Sequence, residues 1–262
     1  MLEREHEEPV LELRSVAAGY NGRKILDRID LRIRRGEVVA VLGANGAGKT
    51  TLLKCISGLL ELEEGSIRLC SAPIDHLQPT ARAGLGIAYL PQDRLPFPSL
   101  TVEENVRLAS TLGKTAGSSR SHRASADHDV FDDYPELQPL RKKRSGLLSG
   151  GQGRLLGLAM LSTRAPKLLL LDEPTAGLPP FRGKSLLKSL AVGKTSPGIV
   201  LVEQNVGLAA TIADRCVLLR EGTLIEVPRA VQAREEDLID MLIGSTGESV
   251  QDSVSAEERI AR

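Results

Sequence analysis

The sequence predicts an α/β fold: a core with buried parallel strands and a phosphate-binding turn, preceded by short antiparallel strands. Three stretches carry that prediction. Gly43-Ala44-Asn45-Gly46-Ala47-Gly48-Lys49-Thr50 lies between an apolar run, Val38 to Leu42, and a segment with helical spacing, Leu52, Leu53 and Ile56. Lys167-Leu168-Leu169-Leu170-Leu171 is a continuous apolar run that ends in Asp172-Glu173, the pattern of a strand buried on both faces. Residues 10–16 and Leu31 to Arg34 alternate apolar and polar side chains, as half-buried strands do.

In chain order, the acidic start, Glu3 to Glu8, has little to bury, and residues 1–9 are expected to be a flexible tail. The strand at 10–16 leads to a turn at Ala18-Gly19-Tyr20-Asn21-Gly22, and a second turn follows at Arg35-Gly36-Glu37. Tyr20, a ring beside a glycine turn, can pack on an adenine face or serve as a local core residue. The strand–turn–helix context makes residues 43–50 a phosphate loop. Glycines let backbone N–H groups curl around phosphates, and the helix N-terminus adds unpaired donors and partial positive charge. Lys49 can reach the β- and γ-phosphates, and the Thr50 hydroxyl can bind Mg²⁺.

Further strands are expected at Gly65 to Leu69 and at Gly86 to Leu90, the latter reaching Gln92. Thr101-Val102-Glu103-Glu104 has the spacing of a capping box and starts a helix to about Thr111. Residues 113–128 have almost nothing to bury and are expected to form a flexible loop; it contains His122 and His128. Val130, Phe131 and Leu137 form a short apolar patch. Arg141 to Arg144 is a basic run, either a solvated face or a contact for anionic lipid or a partner.

Leu148-Ser149-Gly150-Gly151-Gln152 stands where a helix begins, a second potential anion site. Asp172 and Glu173 close their strand at its carboxyl end, where open α/β sheets bind ligands. Asp172 can hold Mg²⁺ through water, and Glu173 can polarise a water beside the γ-phosphate. Ile199 to Val202 is another core strand, running into Glu203-Gln204-Asn205. Glu221-Gly222 marks a hairpin between Cys216–Arg220 and Thr223–Val227, and Leu238 to Ile243 is an amphipathic helix. Residues 244–262 are polar and expected to be flexible.

Composition limits the function. The chain has 262 residues, with 34 basic and 34 acidic side chains and a formal net charge of zero. That balance argues against a general nucleic-acid binder. Aromatic side chains, six in all with no Trp, are too few for base-stacking platforms. Cys55, Cys70 and Cys216 are far apart with no C-x-x-C, as in a reduced cytosolic protein. No run reaches the ~18 apolar residues of a membrane span, and no signal peptide opens the chain, so any membrane role is peripheral.

The phosphate loop, Gln92, Leu-Ser-Gly-Gly-Gln and Leu-Leu-Leu-Leu-Asp-Glu-Pro, in this order, resemble the ATP-binding subunits of ABC transporters. The resemblance spans residues 10–243. It implies a P-loop (RecA-like) core with an N-terminal antiparallel β subdomain and a small α-helical subdomain at about residues 93–160. It also implies site roles. Tyr20 would stack on adenine, and Gly43, Ala44, Asn45, Gly46, Ala47, Gly48, Lys49, Thr50 and Thr51 would wrap the phosphates. Thr50, Gln92 and Asp172 would serve Mg²⁺, with Gln92 also facing the lytic water and the membrane subunits. Ser149, Gly150, Gly151 and Gln152 would bind ATP held by the opposite subunit. Glu173 would be the catalytic base, and Thr175 to Leu178 would contact the partner, although Thr-Ala-Gly-Leu departs from the commoner Ser-Ala-Leu-Asp.

Gln204 stands where that family normally has a switch histidine, and an amide cannot carry imidazolium charge. Val-Glu-Gln-Asn, Gly43-Ala44-Asn45-Gly46 and Phe97 to Asn105 are similar to one ATPase subunit of branched-chain amino acid (or urea) importers. Two features depart from that subfamily: Gln92 replaces its usual acidic residue, and Gly153 and Gly157 each cost a helix ~1 kcal/mol. The resemblance implies an ATPase with ATP and Mg²⁺ as cofactors, at the cytoplasmic face of the cell membrane. Its implied partners are a second ABC ATPase in a head-to-tail homo- or heterodimer, the transmembrane permease subunits and, indirectly, a substrate-binding protein; nucleic acid is not among them. The alternative is a mainly regulatory ATP-binding partner with weak hydrolysis, favoured by Gln204 and opposed by the intact Glu173. A soluble ABC ATPase acting on DNA or ribosomes would need coiled-coil insertions or a second cassette, which the chain lacks.

Overall fold

A computed structural model describes residues 8–92, 96–112, 129–163, 166–191 and 197–244. Two sheets organise it. The first is antiparallel. β1 (Leu11–Tyr20) and β2 (Arg23–Ile33) pair around Asn21-Gly22, both at positive φ, 52° and 77°. Asn-Gly favours this tight hairpin turn, so the strand continues through Ala18, Gly19 and Tyr20. The five-residue turn expected at 18–22 is thus corrected to two residues, and these strands are longer than their alternation predicts.

The second sheet has the order β10-β9-β3-β8-β7-β6. Its centre is β3 (Val38–Leu42), whose five residues are all buried. α1 (Lys49–Ser57) follows, entered at Gly48 (φ 107°) and closed by Gly58 (φ 80°). β4 (Glu64–Leu69) returns to pair with β1, and β5 (Ala72–Pro73) with β4. Neither β5 nor α2 (Pro79–Gly84) is foreseen in the sequence. α2 carries Arg82, only 2% exposed. Its guanidinium donates to the carbonyls of Cys55 (2.7 Å), Ile56 (3.1 Å), Asp75 (2.9 Å) and Leu77 (3.0 Å). Burial holds its pKa below the usual arginine range. The left-handed Gly58 leaves it room: a Cβ there would stand 2.8 Å from Arg82 Nε.

β6 (Ile87–Leu90) is the far edge of the second sheet. α3 (Val102–Leu112) opens on the expected capping box, with Glu104 accepting from Thr101 N at 2.7 Å and Glu104 N donating to Thr101 Oγ1 at 3.2 Å. The loop expected at 113–128, with His122 and His128, and the tail beyond 244 lie outside the described residues. α4 (Val130–Asp133) buries Phe131. The basic run is only partly a solvated face. Lys142, Lys143 and Arg144 are exposed, but Arg141 stacks on the Phe131 ring at 4.0 Å and pairs with Asp129. The carbonyls of Lys143 and Arg141 accept from Val102 N and Glu103 N, both at 3.0 Å, satisfying first-turn donors of α3.

α5 (Gly150–Ser162) packs against α3 and β6. β7 (Leu168–Asp172), α6 (Pro180–Ala191), β8 (Gly198–Val202), α7 (Val206–Ile212), β9 (Arg215–Arg220), β10 (Thr223–Glu226), α8 (Arg229–Gln232) and α9 (Glu235–Ile243) complete the described chain. β6, β7, β8, β3 and β9 run parallel, with Ile87 opposite Leu168, Leu169 opposite Ile199 and Val39 opposite Val200. One core lies between the two sheets and includes Leu52, Leu53 and Ile56 of α1. A second lies under α3 and α5, and a third joins β9 to α7 and α9.

Gly157 is placed by packing rather than propensity. A Cβ on it would stand 2.5 Å from Leu90 Cδ1, so the glycine lets α5 approach β6. Gly157→Ala is expected to destabilise the chain by about 1–3 kcal/mol, the usual cost of overpacking, instead of gaining helix stability. A urea melt measures it; a rise in midpoint would contradict it.

Candidate functional site

The site forms where β3, β6, β7 and β8 end, at the carboxyl edge expected of a parallel sheet. Leu42 of β3 leads into Gly43 (φ 154°), and Gly46 (φ 81°) and Gly48 also lie at positive φ. A Cβ on Gly43 would stand 2.6 Å from the Leu219 carbonyl oxygen, and one on Gly48 2.9 Å from Ile25 Cγ2. Thus β9 and β2 close on the back of the loop, while Ala44, Asn45 and Gly46 face outward, exposed. Lys49 and Thr51 are buried. Lys49 Nζ donates to the carbonyls of Gly43 (2.7 Å) and Ala44 (2.9 Å). Burial lowers the Lys49 pKa, against the raising effect of the Glu173 and Asp172 carboxylates.

Asp172, the last residue of β7, is 1% exposed. Burial pushes its carboxyl pKa up, while hydrogen bonds from the Thr50 and Tyr89 hydroxyls draw it down; the Tyr89 bond is 3.3 Å. Asp172 Oδ1 is buried without a hydrogen-bond partner. A buried carboxylate oxygen left unmatched beside a threonine hydroxyl fits a hard divalent cation such as Mg²⁺.

Glu173 has a left-handed backbone, φ 49°, and its N–H donates to the Val202 carbonyl at 2.9 Å. Its two carboxylate oxygens accept from different amides: Oε2 from Gln92 Nε2 and Oε1 from Gln204 Nε2, each at 2.6 Å. Three residues far apart in sequence therefore meet at one carboxylate. Arg154 of α5 donates to the Gln92 carbonyl at 3.3 Å, a link without a sequence signal.

Ser149 to Gln152 stand apart, at the start of α5. Ser149 Oγ accepts from Gln152 N at 3.3 Å, and Ser149 N donates to Gln152 Oε1 at 3.0 Å. A Cβ on Gly151 would stand 2.7 Å from the Gly177 carbonyl oxygen, so residues 175–178 abut this helix start. Tyr20, 42% exposed, belongs to the other sheet, with Lys54 Nζ 6.0 Å from its ring centroid. That exposure corrects the reading of Tyr20 as a local core residue.

Sequence reasoning missed two neighbours of Gln204. Glu203 is 5% exposed and accepts from Thr175 N (3.2 Å) and Thr175 Oγ1 (2.7 Å). Burial raises its pKa, and those bonds lower it. Asn205 caps α7, its Oδ1 accepting from Leu208 N at 2.8 Å; a polar residue three before Leu208 was a visible cap signal.

A family model described as ABC transporter matches residues 26–176. A protein described as "Probable branched-chain amino acid transport ATP-binding protein LivF", of Archaeoglobus fulgidus, is 39% identical over 208 residues, covering 78% of this chain and 86% of that protein. The high-affinity branched-chain amino acid transport ATP-binding protein BraG of Pseudomonas aeruginosa is 31% identical, covering 82% and 91%. The lipopolysaccharide export system ATP-binding protein LptB of Escherichia coli is also 31% identical, covering 82% and 88%. A solved ATP-binding subunit of an ABC transporter superposes with a TM-score of 0.71 at 26% identity, covering 95% of this chain and 98% of that one.

Proposed function

The chain belongs to the ABC transporter family of ATP-binding cassettes, which hydrolyse ATP to power transport, and from that premise we propose that it drives an importer for branched-chain amino acids or related amides. The observation that carries the cargo class is its likeness to LivF, 39% over most of both chains. Among the described residues no helix is long and apolar enough to cross a membrane. In this reading the chain docks peripherally on permease subunits at the cytoplasmic face and pairs head to tail with a second cassette. A substrate-binding protein delivers the cargo.

The chemistry assigned to the residues is as follows. Lys49 and the N–H groups of residues 43–51 hold the phosphates, and Tyr20 offers its exposed ring to adenine. Thr50, Gln92 and Asp172 would hold Mg²⁺, which supplies charge neutralisation at the phosphates when bound. Glu173 accepts the proton of, or orients, the attacking water. Gln92 and Gln204 position Glu173 through its two oxygens. Ser149 to Gln152 present a helix start to the partner's nucleotide.

Transport tests the proposal. In cells lacking the chain, uptake of labelled leucine should fall and return with the wild-type gene but not with Glu173→Gln. Intact leucine and urea uptake, together with defective lipopolysaccharide export, would overturn it.

One observation favours a weakly hydrolysing, regulatory role: Gln204 offers a neutral donor where imidazolium would offer a charged one. Charged hydrogen bonds contribute about 1.5–3 kcal/mol and neutral ones nearer 1. Gln204→His is expected to leave ATP affinity similar and to raise hydrolysis, measured alone and with any co-purified second cassette. If both Gln204→His and Gln204→Ala are silent, Gln204 has no part in the reaction and the weakly hydrolysing, regulatory reading falls.

A further inference from the structure

We infer that Glu203 is a positioning residue for hydrolysis, its carboxylate tying residues 175–178 to the segment that places Gln204 on Glu173. The inference rests on the reading of Glu173 as the base. Both bonds from Thr175, the N–H at 3.2 Å and the hydroxyl at 2.7 Å, reach the same oxygen, Glu203 Oε1, out of solvent. Thr175 is held from behind as well. A Cβ on Gly183 would stand 2.9 Å from its Cβ and Cγ2, so α6 packs directly on it. On the far side, Leu178 N donates to the Thr175 carbonyl at 2.9 Å, and the Gly177 carbonyl lies against Gly151 at the start of α5.

Glu203, Gln204 and Asn205 thus face three different elements. Glu203 holds residues 175–178, Gln204 holds Glu173, and Asn205 caps α7. With the cap fixing one side, a shift of residues 175–178 drawn through Glu203 is taken up at Gln204. The contacts form a continuous path from Gly151, which faces the partner's nucleotide in the proposed dimer, to this chain's own base. A buried carboxylate is a costly way to anchor a loop, since apolar packing would fill the same volume without desolvation. Two donors on one buried oxygen restrict the angle as well as the distance between the segments.

The test is steady-state ATP hydrolysis by the full chain, with nucleotide affinity read separately from a fluorescent ATP analogue. Glu203→Ala and Thr175→Val are each expected to lower kcat by about tenfold to a hundredfold, the range for small misplacements of a reacting group. KM and affinity should stay within about twofold, as for an interaction used only in the transition state. The double variant should lose no more than the slower single one. Glu203→Gln keeps a carbonyl acceptor and should recover most of the rate. Losses that multiply, affinity that falls in step with rate, or a Glu203→Gln chain as slow as Glu203→Ala would overturn the inference. If Glu203→Ala does not fold, a wild-type rate in Thr175→Val overturns it. If turnover is too slow to compare, deuterium uptake decides. Thr175→Val must then loosen the amides of 175–178 and 203–205 together, and independent change overturns the inference. Failure of the underlying reading is distinct: Glu173→Gln would then keep the wild-type rate whatever stands at position 203.

Discussion

Replacing Glu173 with glutamine is expected to leave ATP binding nearly intact and to lower turnover by about 10²- to 10⁴-fold, the usual contribution of a positioned general base. The geometry explains the separation. Glu173 sits at the end of β7 beside Asp172, and its oxygens are engaged by Gln92 and Gln204 rather than by the phosphate loop. The substitution keeps the side-chain shape but replaces one acceptor oxygen with a donor. One of the two amides then faces an N–H group, so the carboxylate proposed to act on water is lost and its holder disturbed. Turnover in the assembled transporter and nucleotide affinity should be measured on the same preparation. A rate near wild type would remove Glu173 from the mechanism.

Lys49→Ala is expected to weaken binding and hydrolysis together. Lys49 Nζ already reaches two loop carbonyls, and its stem is buried under the loop, so the cation is fixed in place beside residues 43–48. Removing it subtracts a fixed charge from ground state and transition state alike. One lost charged hydrogen bond, about 1.5–3 kcal/mol, corresponds to roughly a tenfold to hundredfold loss of affinity. Burying the ammonium also carries a desolvation cost, visible as its lowered pKa, so the chain without nucleotide should not be destabilised to the same degree. Affinity by calorimetry, with the melting temperature as a control, checks both. Unchanged affinity and rate would end the phosphate-loop reading.

Where the physics is local, the sequence was legible. The glycines of 43–48, the apolar run ending in Asp172-Glu173, the capping box at Thr101 and the helix start at Ser149 each state their geometry within a few residues, and each is found. Where partners come from distant segments, it was not. Nothing in Gln92 or Gln204 alone says that both amides end on Glu173, because that meeting depends on β6, β7 and β8 lying side by side. Glu203 gave no sign that it would be buried, since a glutamate in a polar run usually stays in water. The glycine at 157 was read by propensity, and the approach of Leu90 overrides it. Ala18 to Tyr20 were read as turn because Gly19 lies among them and Gly22 just beyond, although Asn21-Gly22 suffices.

Arg82 leaves one consequence for α1, the helix that follows the phosphate loop. α1 has nine residues, about 13 Å at 1.5 Å per residue. Its peptide dipoles put partial positive charge at Lys49 and partial negative charge near Ser57. In the proposed binding mode a phosphate would sit at the first pole, and the Arg82 guanidinium sits on the carbonyls of Cys55 and Ile56 at the second. Anion and cation thus complement the same macrodipole from opposite ends, each by about 0.3–1 kcal/mol in ordinary settings. On the proposed function, a residue a full helix length from the phosphate loop is in this way electrically a member of the nucleotide site.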